Sequence, residues 1–387
     1  MNKEEVHCLI IWNNSRHKES QIEVDIKCRF SIVSKLEIFW DKERFSENLS
    51  RFYGASLPPN CGKEELVGTG PFLLYILKDA QPLYDVRPTS KGPKLVNINI
   101  FDSKMKYRQW TAPGSKVKST IHATNDYKEA MHDIVLLTGN TYKYFLESPC
   151  KPEIEVIKGN LIGADGWDDL RQVFSVLNEC SQHVVLRNFN NFFEQPISEE
   201  HTDVDILTSD YDGICRITNS IPTRSEKFRV QNRVLVGGIK INFDFRTVGD
   251  YYYDSKWGEN IIKDRVVHGA GFFVPNEINF FYSLLYHAII HKNRVSENYI
   301  EDLCRTGKNL NINVAKDKLL DKQYGLELLS SFMFPKGYEF VTPKDFSVGF
   351  NNVDKPFIFS ARKRFWHWKK KMKKKIRRAR LRIHAIR

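Results

Sequence analysis

The stretch His201-Thr202-Asp203-Val204-Asp205-Ile206-Leu207 sets two carboxylates two residues apart inside an otherwise apolar run. In a β-strand alternate side chains share a face. The pattern therefore predicts that Asp203 and Asp205 project together while Val204 and Ile206 are buried behind them. Adjacent carboxylates repel one another, and a cation between them relieves the repulsion. Oxygen donors of this kind suit a hard divalent ion, Mg²⁺ or Mn²⁺.

Further along, Lys240-Ile241-Asn242-Phe243-Asp244-Phe245-Arg246 alternates without a break, with Ile241, Phe243 and Phe245 as its apolar face. Its polar face carries a third carboxylate, Asp244, between the cations Lys240 and Arg246. Such a face suits a metal that carries a phosphate chain. Upstream, His183-Val184-Val185-Leu186-Arg187-Asn188 reads as a short strand entered from a helix over Asp168 to Cys180. With these residues in this order, the region from about Val156 to Lys292 resembles the nucleotidyltransferase superfamily with the DNA-polymerase-β-like fold. The resemblance implies that Asp203, Asp205 and Asp244 hold the metal and that a nucleotide donor binds beside them. Where that family places a Gly-Ser or Gly-Gly turn to cradle phosphate, this chain has Arg187-Asn188. Arg187, Asn188, Lys240 and Arg246 are accordingly the expected contacts of a differently held phosphorylated donor.

The N-terminal half opens with a strand, Cys8 to Trp12, and an amphipathic stretch, Glu19 to Phe30. A strand over Ser31 to Trp40 and a helix over Glu43 to Tyr53 follow, then a Gly-Pro-initiated strand, Gly70 to Leu77. The run Ser119-Thr120-Ile121-His122-Ala123-Thr124-Asn125-Asp126 precedes a helix over Tyr127 to Leu137. This order resembles nucleoside diphosphate kinase. The resemblance implies a catalytic-type position for His122, a phosphate contact for Arg108 and a base-stacking region near Tyr53. Trp12 stands where that family has a phosphate-contacting lysine, and Thr111 to Lys118 is differently composed. The expectation is a retained fold with a changed ligand.

Seven scattered cysteines, an odd number with no Cys-x-x-Cys pair, point to a reducing compartment and away from a disulfide framework or structural zinc. The polar start, Met1 to Glu5, lacks the apolar segment of a signal peptide, and Phe280 to Ile290 is too short and polar for a membrane span. The expected location is cytoplasmic. The net charge of +12 is a property of the tail. From Arg362 onward there are 14 Lys or Arg and no acid, and removing them leaves the body at −2. A body of that charge argues against a general nucleic-acid binder. In the tail, Phe365, Trp368, Met372, Ile376, Ala379, Ile383 and Ile386 form one helical stripe among cations. A helix of this kind lies on an anionic membrane surface, a reading put ahead of a nucleic-acid-binding arm and of a stripe packed on the protein body.

Other candidates are weaker. His287 and His291 are four apart on a helix expected over Asn276 to Lys292, and read as partly buried helix histidines. The run Asp250-Tyr251-Tyr252-Tyr253-Asp254 shapes an acceptor pocket or packs in the core. No Walker loop, Gly-x-Gly-x-x-Gly or serine nucleophile elbow is present.

The expected architecture is α/β (α+β), with two mixed-sheet domains. Residues 1–147 are nucleoside diphosphate kinase-like, 148–345 nucleotidyltransferase-like, and 346–387 a linker and basic amphipathic helix. The expected function is metal-dependent transfer of a nucleotidyl or phosphoryl-linked group from a nucleotide-activated donor to a hydroxyl acceptor. The acceptor would be a glycan or lipid-linked intermediate of a surface polysaccharide, met at the inner face of the membrane. A non-catalytic nucleotide-sensing module and a nucleic-acid-modifying nucleotidyltransferase are the competing readings.

Overall fold

The computed structural model describes residues 4–351, apart from 56, 58–61, 90–91, 115–119, 152, 190–192, 194–202, 224–229, 293–294 and 313. The expected tail helix, Arg362 to Arg387, lies outside the described residues. The chain is of mixed α/β class and divides into two compact bodies. The first runs to Ser181 and takes in two later pieces, Cys215–Ser220 and Leu235–Gly238. The second comprises Gln182–Ile214, Ile221–Val234 and the chain from Ile239 onward.

The first body begins with β1 (Glu5–Ile11), α1 (Glu19–Arg29), β2 (Ser31–Phe39), α2 (Phe45–Tyr53), α3 (Lys63–Val67) and β3 (Phe72–Asp79). A hairpin, β4 (Tyr84–Thr89) and β5 (Gly92–Asn97), leads into α4 (Ile98–Thr111) and β6 (Ile121–Ala123). The remaining elements are α5 (Tyr127–Thr138), α6 (Tyr142–Glu147), β7 (Ile154–Lys158) and α7 (Leu170–Cys180). The sheet order is β6-β1-β3-β2-β7. Its first four strands are antiparallel and follow a split β-α-β pattern. β1 and β3 are buried on both faces, so the sheet is covered by helices on each side. Leu9, Ile11, Tyr75 and Leu77 meet Ile22 and Ile26 of α1 and Ile100 and Tyr107 of α4. α5 covers the opposite face, started by an Asp126 cap on the Lys128 and Glu129 amides and stopped by left-handed Gly139.

This body does not end at residue 147. β7 pairs in parallel with β2, Lys35 opposite Ile154, and α7 packs on α5. The helix expected to lead into the second domain therefore completes the first. The later pieces are held by backbone groups. The Trp167 amide donates to the Leu235 carbonyl (2.9 Å), and the Gly237 amide to the Trp167 carbonyl (2.8 Å). The buried Arg51 guanidinium donates to the carbonyls of Ile162, Arg216 and Ile217 at 2.8–3.0 Å.

The second body contains β8 (His183–Val185), β9 (Asp203–Thr208), the start of α8 (Tyr211–Thr218), β10 (Ile221–Pro222), all but the last two residues of β11 (Gln231–Val236) and β12 (Ile239–Thr247). Its sheet has the order β10-β11-β12-β9-β8, with β9 and β12 parallel and β8 antiparallel to β9. α9 (Ser255–Lys263), the short hairpin β13 (Val266–Val267) and β14 (Phe273–Val274), and α10 (Glu277–Tyr286) follow. α10 runs into one π-helical turn, His287–His291. α11 (Glu297–Asn309), α12 (Lys316–Leu319) and α13 (Lys322–Met333) close the order. Val204, Ile206, Ile241, Phe243 and Phe245 are all buried, as the alternation predicts. Among the described residues, no helix is long and apolar enough to cross a membrane.

Candidate functional site

In the second body the three aspartates occupy adjacent strands. The parallel register sets Asp244 of β12 directly opposite Asp205 of β9, and Asn242 opposite Asp203. Cross-strand partners share a sheet face, and the buried neighbours of each aspartate point the other way. Asp203 is exposed; Asp205 and Asp244 are partly buried. Burial raises the Asp244 carboxyl above the usual range, and Arg246 opposes this while Asp205 and Asp203 add to it. Among the described residues, the group of three donors whose atoms all lie within 4.8 Å of one another is not these carboxylates but one in the first body.

Arg187 follows β8 and is buried, where its Nη2 donates to Asp205 Oδ1 at 2.7 Å and to the Tyr252 hydroxyl at 2.9 Å. This residue, expected to contact a donor phosphate, is instead committed to orienting Asp205. Asn188 beside it is exposed and left-handed (φ 58°), a conformation asparagine tolerates better than most residues. Arg246 is also buried, with Nη1 3.1 Å from Asp345 Oδ2, Nη2 3.8 Å from Asp244, and its guanidinium 4.6 Å from the Tyr252 ring centroid. Lys240 is exposed at the start of β12. Of the four expected donor contacts, two are therefore buried supports of the aspartates and two remain at the surface.

The Tyr252 hydroxyl also meets His287 Nδ1 at 2.6 Å, and the Tyr252 ring lies 4.0 Å from that of His291. Tyr252 and Tyr253 are core residues, whereas Tyr251 is exposed. Both histidines sit on the π turn, a distortion common at functional positions. They are more deeply buried than the sequence suggested. Burial, with Arg187 adding to it, pushes both well below the ordinary histidine value of 6.5. The fold thus holds them neutral, and the unfolded chain takes up protons that the fold excludes once pH drops below about 6.5. Stability is expected to fall as pH drops through about 6.5 and to keep falling toward the much lower value the folded histidines hold, and His291→Phe should flatten that slope in thermal melts. An unchanged slope would place the acid sensitivity elsewhere.

The first body holds a separate cleft of about 920 Å³. His122, Arg108, Tyr53, Phe52, Lys104 and Asp133 are among its lining residues. His122 Nε2 is 2.7 Å from Asp133 Oδ2, and His132 Nδ1 is 2.9 Å from Asp133 Oδ1. Burial works to raise the Asp133 carboxyl, but the two imidazoles outweigh it and leave it below the usual range. Lys104 donates to the Ala123 carbonyl (2.9 Å) and Asn125 Oδ1 (2.6 Å), and burial brings its ammonium down to about 8. Arg108 donates to the Ile121 carbonyl at 2.8 Å. Trp12, at the position noted for its missing lysine, is fully buried against Phe72 at a centroid distance of 4.7 Å.

The sequence reading found His122 and Arg108 but not Asp133, Cys8, His132, Lys104 or Asp345. Asp133 left a signal: it is a lone acid before the apolar run Ile134-Val135-Leu136-Leu137. A scan against protein-family models finds no match, and a search of curated proteins returns no matching relative.

Proposed function

We propose that the second body is a divalent-metal-dependent transferase acting on a nucleotide-activated donor and a hydroxyl acceptor. The observation that carries this reading is the parallel β9–β12 register, which puts Asp205 beside Asp244 with Asp203 on the same strand. Three carboxylates with Asp244 held above its usual range form a donor set that a hard cation would relieve. A bound Mg²⁺ or Mn²⁺ would neutralise donor phosphate charge there. Arg187 fixes the orientation of Asp205, and Arg246, braced by Asp345, brings positive charge close to Asp244. Asp244, with its raised affinity for a proton, is the candidate base for an acceptor hydroxyl. The test is a thermal-stabilisation and turnover screen of nucleoside triphosphates and CDP- or UDP-linked donors with and without Mg²⁺. Donor stabilisation that requires Mg²⁺ supports the reading, and metal-independent stabilisation removes it.

The basic tail supports a place on an anionic membrane, where a lipid-linked glycan acceptor for surface-polysaccharide synthesis would be met. Each Lys or Arg near such a surface contributes about 1 kcal/mol, screened by salt, and the Trp368 to Ile376 part of the stripe adds an apolar component. Phosphatidylglycerol liposomes should float the full chain, with partial resistance to salt, and should not float a chain ending at Ser360. Tighter binding of the tail to duplex nucleic acid than to liposomes would favour the nucleic-acid reading.

A second reading, a nucleotide-sensing module, is favoured by one observation. The first-body cleft gathers His122, Arg108 and Lys104 beside the aromatic rings of Phe52 and Tyr53. That combination suits a ligand with a phosphate and a flat base.

A further inference from the structure

We infer that Cys8, His122 and Asp133 form a binding site for a zinc-like transition-metal ion at the floor of the first-body cleft. Three separate elements bring the donors together. β1 and β6 are antiparallel with Ile10 opposite His122, so Cys8, two residues from Ile10 on β1, shares a sheet face with His122. α5 crosses that face and lowers Asp133 onto it. Cys8 Sγ is 3.9 Å and His122 Nε2 2.7 Å from Asp133 Oδ2, and all three donor atoms lie within 4.8 Å of one another.

Sulfur, imidazole nitrogen and carboxylate oxygen together suit zinc better than magnesium or calcium, which take oxygen alone. Donors around a tetrahedral zinc sit roughly 3.3–3.5 Å apart, given bonds of about 2.0–2.3 Å. His122 and Asp133 would have to separate by less than about 1 Å, and Cys8 would have to draw in slightly. The supporting contacts are already in place. His132 Nδ1 donates to Asp133 Oδ1, fixing the carboxylate and leaving Oδ2 for the metal, as outer-shell partners do in metal sites.

Three protein donors leave a fourth position, the arrangement of a working zinc site and not of a structural one. Cys8 is fully buried beneath, whereas His122 and Asp133 line the cleft, so that position faces the cleft. Lys104 and Arg108 line the same cleft. The ligand on the open position would therefore be an anion. The competing account is a His122–Asp133 hydrogen bond with Cys8 as a packed bystander, and it makes different predictions.

The full-length chain should retain about one zinc after exhaustive desalting. Its cobalt form should show a sulfur-to-cobalt charge-transfer band. Cys8→Ser, close in volume, should abolish that band and weaken zinc binding at least about tenfold. His132→Phe should weaken zinc about 10–100-fold while keeping the band, the loss typical of an outer-shell partner. Circular dichroism of each variant separates loss of metal from loss of fold, and His122→Gln serves as the ligand variant if Cys8→Ser does not fold. Asp205→Asn should leave zinc content unchanged, which keeps this site distinct from the carboxylates of the second body. No cobalt–sulfur band in the unaltered chain, or a band and affinity unchanged in folded Cys8→Ser, would overturn the inference.

Discussion

Replacing Asp205 with Asn is expected to lower donor turnover by a factor of about 10² or more while the protein still folds. The substitution removes one negative charge from a face where Asp205 stands directly opposite Asp244. Asparagine keeps the shape, and its carbonyl can still accept from Arg187 Nη2, the contact that Asp205 Oδ1 makes at 2.7 Å. The comparison with Asp203→Asn sharpens the test. Asp203 is exposed, so its replacement should change stability by no more than about 0.5 kcal/mol. A comparable loss of turnover in that variant would therefore report chemistry and not folding. Full turnover in folded Asp205→Asn would end the transferase reading of these carboxylates.

Arg187→Met should have the largest effect on stability, about 3–5 kcal/mol by denaturant unfolding, the usual cost of removing one partner of a buried ion pair. Arg187 is buried and bonds both Asp205 and the Tyr252 hydroxyl, which in turn meets His287. Its removal strands a partly buried carboxylate and leaves the buried Tyr252 hydroxyl with His287 alone. Combining Arg187→Met with Asp205→Asn should recover part of the loss, since the stranded charge is gone. A loss under about 1 kcal/mol for the single change would mean that water replaces the guanidinium.

The elements that could be read from sequence are those with one clean apolar face. β1, β2, β3 and α5 stand where alternation or helical spacing placed them, as do β9 and β12 with their buried valine, isoleucines and phenylalanines. α4 escaped because its buried face includes Ser103 and Lys104, which interrupt any apolar stripe. The β4–β5 hairpin escaped for a different reason. It is largely exposed and carries Pro88 and Pro93, so it has no alternating buried face. β7 lies beyond residue 147, where the sequence predicts the following domain, yet it joins the first sheet: its parallel partner, β2, lies more than a hundred residues earlier, and nothing local in Ile154–Lys158 encodes that pairing. The same limit applies to the sites. Asp203 and Asp205 advertise themselves by spacing, but the use of Arg187 as their support depends on contacts across the fold. The Cys8–His122–Asp133 group joins a neighbouring pair to a cysteine more than a hundred residues earlier, a pairing no local pattern encodes.

The interleaving of the first body has a consequence for how the chain is made. A ribosome delivers Arg51 about 165 residues before Arg216 and Ile217, whose carbonyls receive its buried guanidinium. At about 5–20 residues per second, that delay is on the order of ten seconds or more. Within that interval the strands of the sheet β6-β1-β3-β2 are completed and can assemble, Arg51 meets the Ile162 carbonyl before the other two, and the Trp167 contacts with Leu235 and Gly237 close last. The N-terminal body therefore cannot be finished before the first segments of its neighbour, Gln182–Ile214 and Ile221–Val234, have been synthesised.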